Sequence, residues 1–340
     1  MSDGTRNNAS VPLKTLRACL GSVSRFLSQA RSEKKRGLTV FLFHSVTKKP
    51  GSFEQEGRLA VTPEIFKMQL EWILKNYHPV GPPDLESASY LPSDACLITF
   101  DDGWSGTFEH AFPLLEKYSV PALSFLNMEP LEGKPLWAAV AFWLQKAEAK
   151  FASWMEARTV WNKSQPALSL SPSLLKSWEK EMGPVDWEAV ADYQGSFATL
   201  QQMRAWDGHP LIFYGNHLYN HWNAVTLSNE ELKNAFIRNQ QELDQLRSGT
   251  RHFAFPFGTY LPHQLSFLFQ CGASHVYVSG GYVNRLKTTE RIFGRINIGP
   301  WDDSPSLLRW ETTRAHWEQL FPLGFSEKVR TFAKRIGGAP

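Results

Sequence analysis

Two adjacent carboxylates, Asp101 and Asp102, end an apolar run of strand length at 96–100 and are followed by Gly103. Burying two carboxylates side by side is costly, because they repel one another and lose water together. A cation beside them would relieve that cost, although an Asp-Asp-Gly turn closing a strand is the plainer structural reading. A second apolar run, 211–214, is followed by Gly215, Asn216 and His217, with His221 four residues further on. At that spacing two imidazoles on one face of a helical turn can bind a single ion. Together with Asp102 they make a set of two neutral nitrogens and one carboxylate oxygen. Such a set leaves coordination positions open, as a catalytic rather than a structural metal site requires. A divalent ion held this way would polarise a substrate carbonyl and make a water easier to deprotonate. Asp101, the spare carboxylate, is then the candidate general base. A departing amine or alcohol needs a proton, and His44, at the end of the run 38–43, is the candidate acid; a structural histidine at a strand end is the alternative.

These side chains need a scaffold that brings them together. Seven short apolar runs, 38–43, 96–100, 122–126, 211–214, 252–255, 275–278 and 291–298, have strand length. Most are separated by stretches with helical periodicity, such as 63–75, 107–118 and 229–246. The last of these opens with Ser228 and Glu231, a capping-box start. Alternating strands and helices predict an α/β fold with a parallel sheet, open or closed into a barrel. In a barrel the C-terminal strand ends share one rim. His44, Asp101, Asp102, His217, His221 and the Pro256-Phe257-Gly258 turn all follow strand ends, so they converge there. Residues 130–205 break the rhythm with mostly helical patterning and six tryptophans, including Trp137, Trp154 and Trp178. We read that stretch as an inserted helical subdomain or lid, its tryptophans mostly packing its own core. The expected organisation is a basic amphipathic helix over 1–37, a barrel domain over 38–310 and a C-terminal helical tail over 311–340.

Bulk properties exclude several classes. The 42% hydrophobic and 20% charged content is that of a folded globular chain. A formal net charge of +3, with no recognisable nucleic-acid motif, argues against a nucleic-acid partner. Cys19, Cys96 and Cys271 lie far apart, which suits a reducing compartment better than a disulfide framework. No apolar run reaches the roughly 20 residues of a membrane span. Arginines at 17, 25 and 31 interrupt the one stretch that could have served as a signal peptide. A cytoplasmic location is the expectation. The basic N-terminal helix either docks on the domain or makes peripheral contact with the inner membrane surface.

The residues resemble a known family, the polysaccharide deacetylases, carbohydrate esterases with a NodB-like catalytic domain. Thr99-Phe100-Asp101-Asp102-Gly103 matches that family's first motif as it stands. Gly215-Asn216-His217-Leu218-Tyr219-Asn220-His221 resembles the second, with Leu218 where a hydroxyl residue usually braces the metal loop. Phe253-Ala254-Phe255-Pro256-Phe257-Gly258 is similar to the third. The resemblance implies a distorted (β/α) barrel of about seven strands, with Asp101 as base and Asp102, His217 and His221 as metal ligands. It places Phe255, Pro256, Phe257 and Gly258 along the substrate groove. Many members carry an arginine that orients the base where Ala254 stands, and Arg295 on the last strand is a substitute, a surface arginine being the alternative. Some members, including those acting on poly-N-acetylglucosamine, look circularly permuted and place the acid histidine early. Phe43-His44-Ser45-Val46 resembles that arrangement, which strengthens the case for His44. Trp104, directly after the first motif, is the aromatic expected nearest to substrate.

The implied activity is metal-dependent removal of acetyl groups, N-acetyl foremost, from a sugar, glycan or glycolipid precursor in cell-envelope polysaccharide synthesis. Zinc is the default metal, with cobalt, nickel or manganese as alternatives. An O-acetyl carbohydrate esterase is the nearest other reading. A catalytically silent carbohydrate-binding protein on the same fold is the more distant one.

Overall fold

The computed structural model describes residues 37–87, 91–280, 284 and 291–320. Seven parallel strands form its centre: β1 (Thr39–Phe43), β2 (Ala95–Phe100), β3 (Ala122–Leu126), β4 (Ile212–Asn216), β5 (Gly249–Ala254), β6 (His275–Ser279) and β7 (Ile292–Asn297). Each pairs with its sequence neighbours, and β1 pairs with both β2 and β7, so the sheet closes on itself. All seven apolar runs became strands; strand pattern alone left an open or a closed sheet, and closure bears out the seven-stranded barrel that the resemblance implied. A two-residue strand, His78–Pro79, also pairs with β2 outside the ring.

Strand alternation sorts the residues into two layers. Val40, Leu97, Leu123, Phe125, Ala254, Tyr277 and Phe293 fill the interior of the barrel. The opposite parity, including Phe41, Phe43, Cys96, Ile98 and Phe100, packs outward beneath the helices. Helix Pro63–Asn76 shows how that layer is built. Thr62 caps it by accepting a hydrogen bond from the Ile65 amide, and Pro63 occupies its first turn. Phe66, Leu70 and Ile73 form its buried stripe, with the Phe66 ring edge-on to Phe43 at 5.3 Å. Gly215 serves the interior instead. A Cβ there would lie 2.6 Å from the Phe125 ring, so only glycine leaves that ring its place.

The insertion is helical, as expected, with helices Trp137–Ala147, Phe151–Glu156, Pro172–Met182, Trp187–Gln194 and Leu200–Ala205. Trp137, Trp154 and Trp178 are buried within it or against the barrel, and Trp154 meets Trp178 edge-on. Its apolar residues join one cluster with Trp104, Leu218, Trp222 and Phe255 of the barrel side. The tail predicted over 311–340 begins inside the helix Pro305–Leu320. Residues 321–340, and the amphipathic helix predicted over 1–37 apart from its last residue, lie outside the described residues.

Candidate metal and active site

Interior parity carries past the strand ends. His44 continues Val40 and Leu42, Asp101 continues Leu97 and Thr99, His217 continues Gly215, and Arg295 continues Phe293. All four therefore point into the C-terminal mouth of the barrel. Asp102 would face outward by that rule, but its backbone turns into the left-handed region (φ 74°), with Gly103 at φ 91°. This turn brings the second carboxylate round to the mouth.

There, Asp102 Oδ1 lies 3.1 Å from His221 Nε2 and 3.5 Å from His217 Nε2. Donors bound to one tetrahedral ion at about 2.0–2.1 Å sit roughly 3.3 Å apart, so these are ligand-to-ligand spacings. All three residues are at most 5% exposed. Asp102 Oδ1 is a buried acceptor that receives no hydrogen bond. Its other oxygen, Oδ2, accepts from the Trp104 indole N–H at 2.9 Å, which fixes the carboxylate and leaves Oδ1 aimed at the imidazoles. His217 Nδ1 must donate to the Ala254 carbonyl, 2.8 Å away, because a carbonyl can only accept. That leaves Nε2 as the ring nitrogen turned toward Asp102. Burial depresses the His221 pKa and so favours its uncharged ring. An orphaned carboxylate oxygen facing two imidazole nitrogens is the environment a divalent cation fits.

The sequence placed the two histidines on a helical turn, and the structure corrects this. Residues 217–223 form a loop, with Leu218 at φ 62° and His221 at φ 58°. Non-glycine residues held there cost of order 1–3 kcal/mol each, and such strain gathers at functional sites. The bracing expected from a hydroxyl at Leu218 comes from elsewhere. Leu218 is buried in the apolar cluster, while Asn127 Nδ2 donates to the carbonyls of His217 and Leu218. Asn216 Oδ1 accepts from the Leu218 amide at 2.9 Å and from Asn239 at 3.0 Å. Neither Asn127 nor Asn239 was marked out by the sequence reading, since a lone asparagine carries no spacing signal.

Asp101 is 3% exposed and sits in a two-pronged ion pair with Arg295, at 2.6 and 2.8 Å. Arg295 is therefore no surface arginine; it is 2% exposed and holds the carboxylate where the family's usual arginine is missing. Burial by itself would raise the Asp101 pKa, but the Arg295 guanidinium, helped by His217 and His44, outweighs it and holds the carboxyl below its usual range. His44 lines the same cavity, and its backbone carbonyl accepts from Thr107 Oγ1 at 2.9 Å. Thr107 opens a single turn of π-helix, Thr107–Ala111, a feature common beside functional sites.

The cavity over this mouth has a volume of about 830 Å³, within the range of small-ligand sites. Strand ends form its floor, and Leu136, Ala138, Phe142, Ser164 and Gln165 of the insertion form one wall. Of the predicted groove residues, Phe257 and Gly258 line it and Phe255 and Pro256 do not. Phe255 is buried, stacked on Tyr260, and Pro256 is buried at the start of a 3-10 turn. Gly258 (φ 64°) passes over the end of β6 where any Cβ would strike Ser279. Trp104 is likewise fully buried, between Phe53 and Phe197, and works on Asp102 rather than on a ligand. Trp301, just beyond β7, is the tryptophan among the cavity's lining residues.

The barrel and its two-histidine, one-aspartate cluster are what the family resemblance in the sequence implied. The polysaccharide deacetylase family matches residues 89–276, more than half of the chain, and the chain belongs to that family. Among curated relatives, YxkH of Bacillus subtilis (strain 168), which carries the family's name, is 29% identical over 101 residues, 28% of this chain and 34% of that protein. Poly-beta-1,6-N-acetyl-D-glucosamine N-deacetylase of Escherichia coli (strain K12) is 26% identical over 120 residues, 30% of this chain and 16% of that protein. The matched segments thus span 34% and 16% of these relatives' lengths. The structure of IcaB from Ammonifex degensii superposes with a TM-score of 0.52 at 21% identity, covering 81% of this chain and 97% of that one. The Streptococcus pyogenes deacetylase PplD in complex with acetate gives 0.52 at 18%, covering 80% and 96%. At those identities the likeness is one of fold.

Proposed function

We propose that this chain is a metal-dependent deacetylase that hydrolyses acetyl groups, N-acetyl foremost, from a sugar, glycan or glycolipid precursor of cell-envelope polysaccharide. The observation that carries the reading is the orphaned Asp102 Oδ1 facing His217 Nε2 and His221 Nε2, with the Asp101–Arg295 pair beside it. Asp102, His217 and His221 would hold a divalent ion, zinc by default, which supplies Lewis acidity to the acetyl carbonyl and to the attacking water. Asp101, kept ionised by Arg295, takes the proton from that water. Arg295 fixes both carboxylate oxygens, so Asp101 is held in one orientation without having to reorganise. His44, just past the end of β1 in the same mouth, returns a proton to the departing amine. Phe257 and the Leu136–Phe142 wall keep bulk water off the acetyl group.

The relative that acts on poly-beta-1,6-N-acetyl-D-glucosamine supports an N-acetylated amino sugar as the substrate class. We place the reaction in the cytoplasm, with peripheral contact at the inner membrane surface, on the basic stretch over 1–37. The test is acetate release by the full chain, stripped of metal and then supplied with zinc, cobalt, nickel or manganese. Substrates would be N-acetylglucosamine oligomers, acetylated sugar nucleotides, lipid-linked sugars and O-acetylated xylan. Release from an N-acetylated substrate that needs added metal is expected. Release from the O-acetylated one alone would make the protein an esterase. Bound metal with no acetate from any substrate would leave a binding protein on this fold.

A further inference from the structure

The opposite, N-terminal mouth of the barrel holds a second cluster that deacetylation does not use. Interior parity along β5 and β6 points His252 and His275 inward there, with ring centroids 4.6 Å apart. His252 is fully buried. Glu86, from the helix Pro82–Ser87, reaches beneath them, its Oε1 3.1 Å from His252 Nε2. One ligand atom from each of the three residues lies within 4.8 Å of the others. We propose that Glu86, His252 and His275 form a second divalent-metal site, one that pins this helix across the floor of the barrel.

Three features support it. The donor set, two imidazoles and one carboxylate, suits zinc and its first-row neighbours, and the 3.1 Å contact is again a ligand-to-ligand spacing. Each imidazole has its Nδ1 against a hydroxyl, His252 against Tyr277 at 2.9 Å and His275 against Ser274 at 3.3 Å. Ligating histidines are usually oriented in this way through their second nitrogen. The buried Tyr277 hydroxyl also serves both states of His252. Without metal it donates to Nδ1 while Nε2–H donates to Glu86; with metal it accepts from Nδ1–H and frees the Nε2 lone pair. Finally, His275 Nε2 has no protein partner among the described residues.

The cluster is open to solvent through Glu86, about half exposed, which gives an ion its way in. Among the described residues no spare carboxylate paired to an arginine stands beside it, so the site we infer is structural. Metal-free full-length protein should be dialysed against zinc and its bound metal counted by mass spectrometry. Two equivalents are expected for the wild type, one for His217→Ala and one for His275→Ala, and none for the two substitutions combined. Glu86→Gln, at a solvent-facing position that should not disturb folding, should also lose one equivalent and keep the wild-type rate of acetate release. The melting temperature of His217→Ala should still rise with zinc, and that rise should vanish when Glu86→Gln is added. No zinc retained by His217→Ala, or a wild-type count left unchanged by His275→Ala, would overturn the proposal. These counts stand whether or not the protein deacetylates anything.

Discussion

At one mouth of the barrel Asp102, His217 and His221 gather over a cavity; at the other Glu86, His252 and His275 gather under a short helix. The ligand types are the same and the closest contacts are equally short, at 3.1 Å. Their surroundings differ. In the upper cluster the carboxylate oxygen is buried and receives no hydrogen bond, and two of the three ligands sit on left-handed backbone. In the lower one the carboxylate is half exposed and already accepts from His252. Among the described residues, the upper cluster alone has a second carboxylate held by an arginine, and it opens onto a cavity that His44 also lines. The difference teaches that a ligand set determines where an ion can sit. The base, the acid and the enclosed space beside it determine whether chemistry follows.

The strongest way to break this contrast is to remove what only the upper mouth has. Asp101→Asn should lower kcat roughly 10²–10⁴-fold while bound metal stays at the wild-type level. A rate within twofold of wild type would take the base role from Asp101. Next in size, Arg295→Gln leaves a buried carboxylate unpaired and should cost about 3–5 kcal/mol of stability in denaturant unfolding. It should also move the acid limb of the rate profile to higher pH. Arg295 lowers the Asp101 pKa, so its loss raises that pKa and protonates the base earlier as pH falls. An acid limb that stays in place would separate Arg295 from Asp101 function. By the same linkage, the stability Asp101 contributes in the wild type is present above its unfolded pKa and is lost as pH falls through the folded value.

The smallest effects would sharpen the comparison. Trp104→Phe removes the indole hydrogen bond to Asp102, and Tyr277→Phe removes the hydroxyl beside His252. Each should weaken metal binding at its own mouth by on the order of ten- to a hundred-fold, read as separate phases in a zinc titration. Only Trp104→Phe should lower acetate release at limiting metal. If Tyr277→Phe did so too, the two mouths would be coupled through the barrel interior.

Much of the upper site could be read along the chain because its parts follow strands. Short apolar runs of strand length gave the seven strands, and the residues that follow them gave Asp101, Asp102, His44, His217 and His221. What stayed hidden lies in contacts between segments far apart in sequence. Arg295 is 194 residues from Asp101, and nothing local distinguishes it from a solvated arginine. Trp104 follows the Asp-Asp-Gly turn so closely that a place beside the ligand looked natural, yet the turn rotates its ring into the apolar cluster and its N–H onto Asp102. Phe255 and Pro256 share a motif with Phe257, but strand parity turns Phe255 out of the barrel into the apolar cluster, and Pro256 is buried at the start of the 3-10 turn.

By itself, then, the sequence determined the strand pattern, the parallel α/β class and the kinds of ligand available, since these depend on side-chain type and on spacing over a few residues. Closure of the sheet was legible only through the family resemblance, and tertiary structure alone showed the left-handed turn by which Asp102 comes to face two imidazoles. It also decided that Arg295 is consumed by Asp101, and that a second pair of histidines meets a glutamate at the far end. Those outcomes depend on register and backbone turns, which set distances between segments hundreds of residues apart, and no local pattern encodes them.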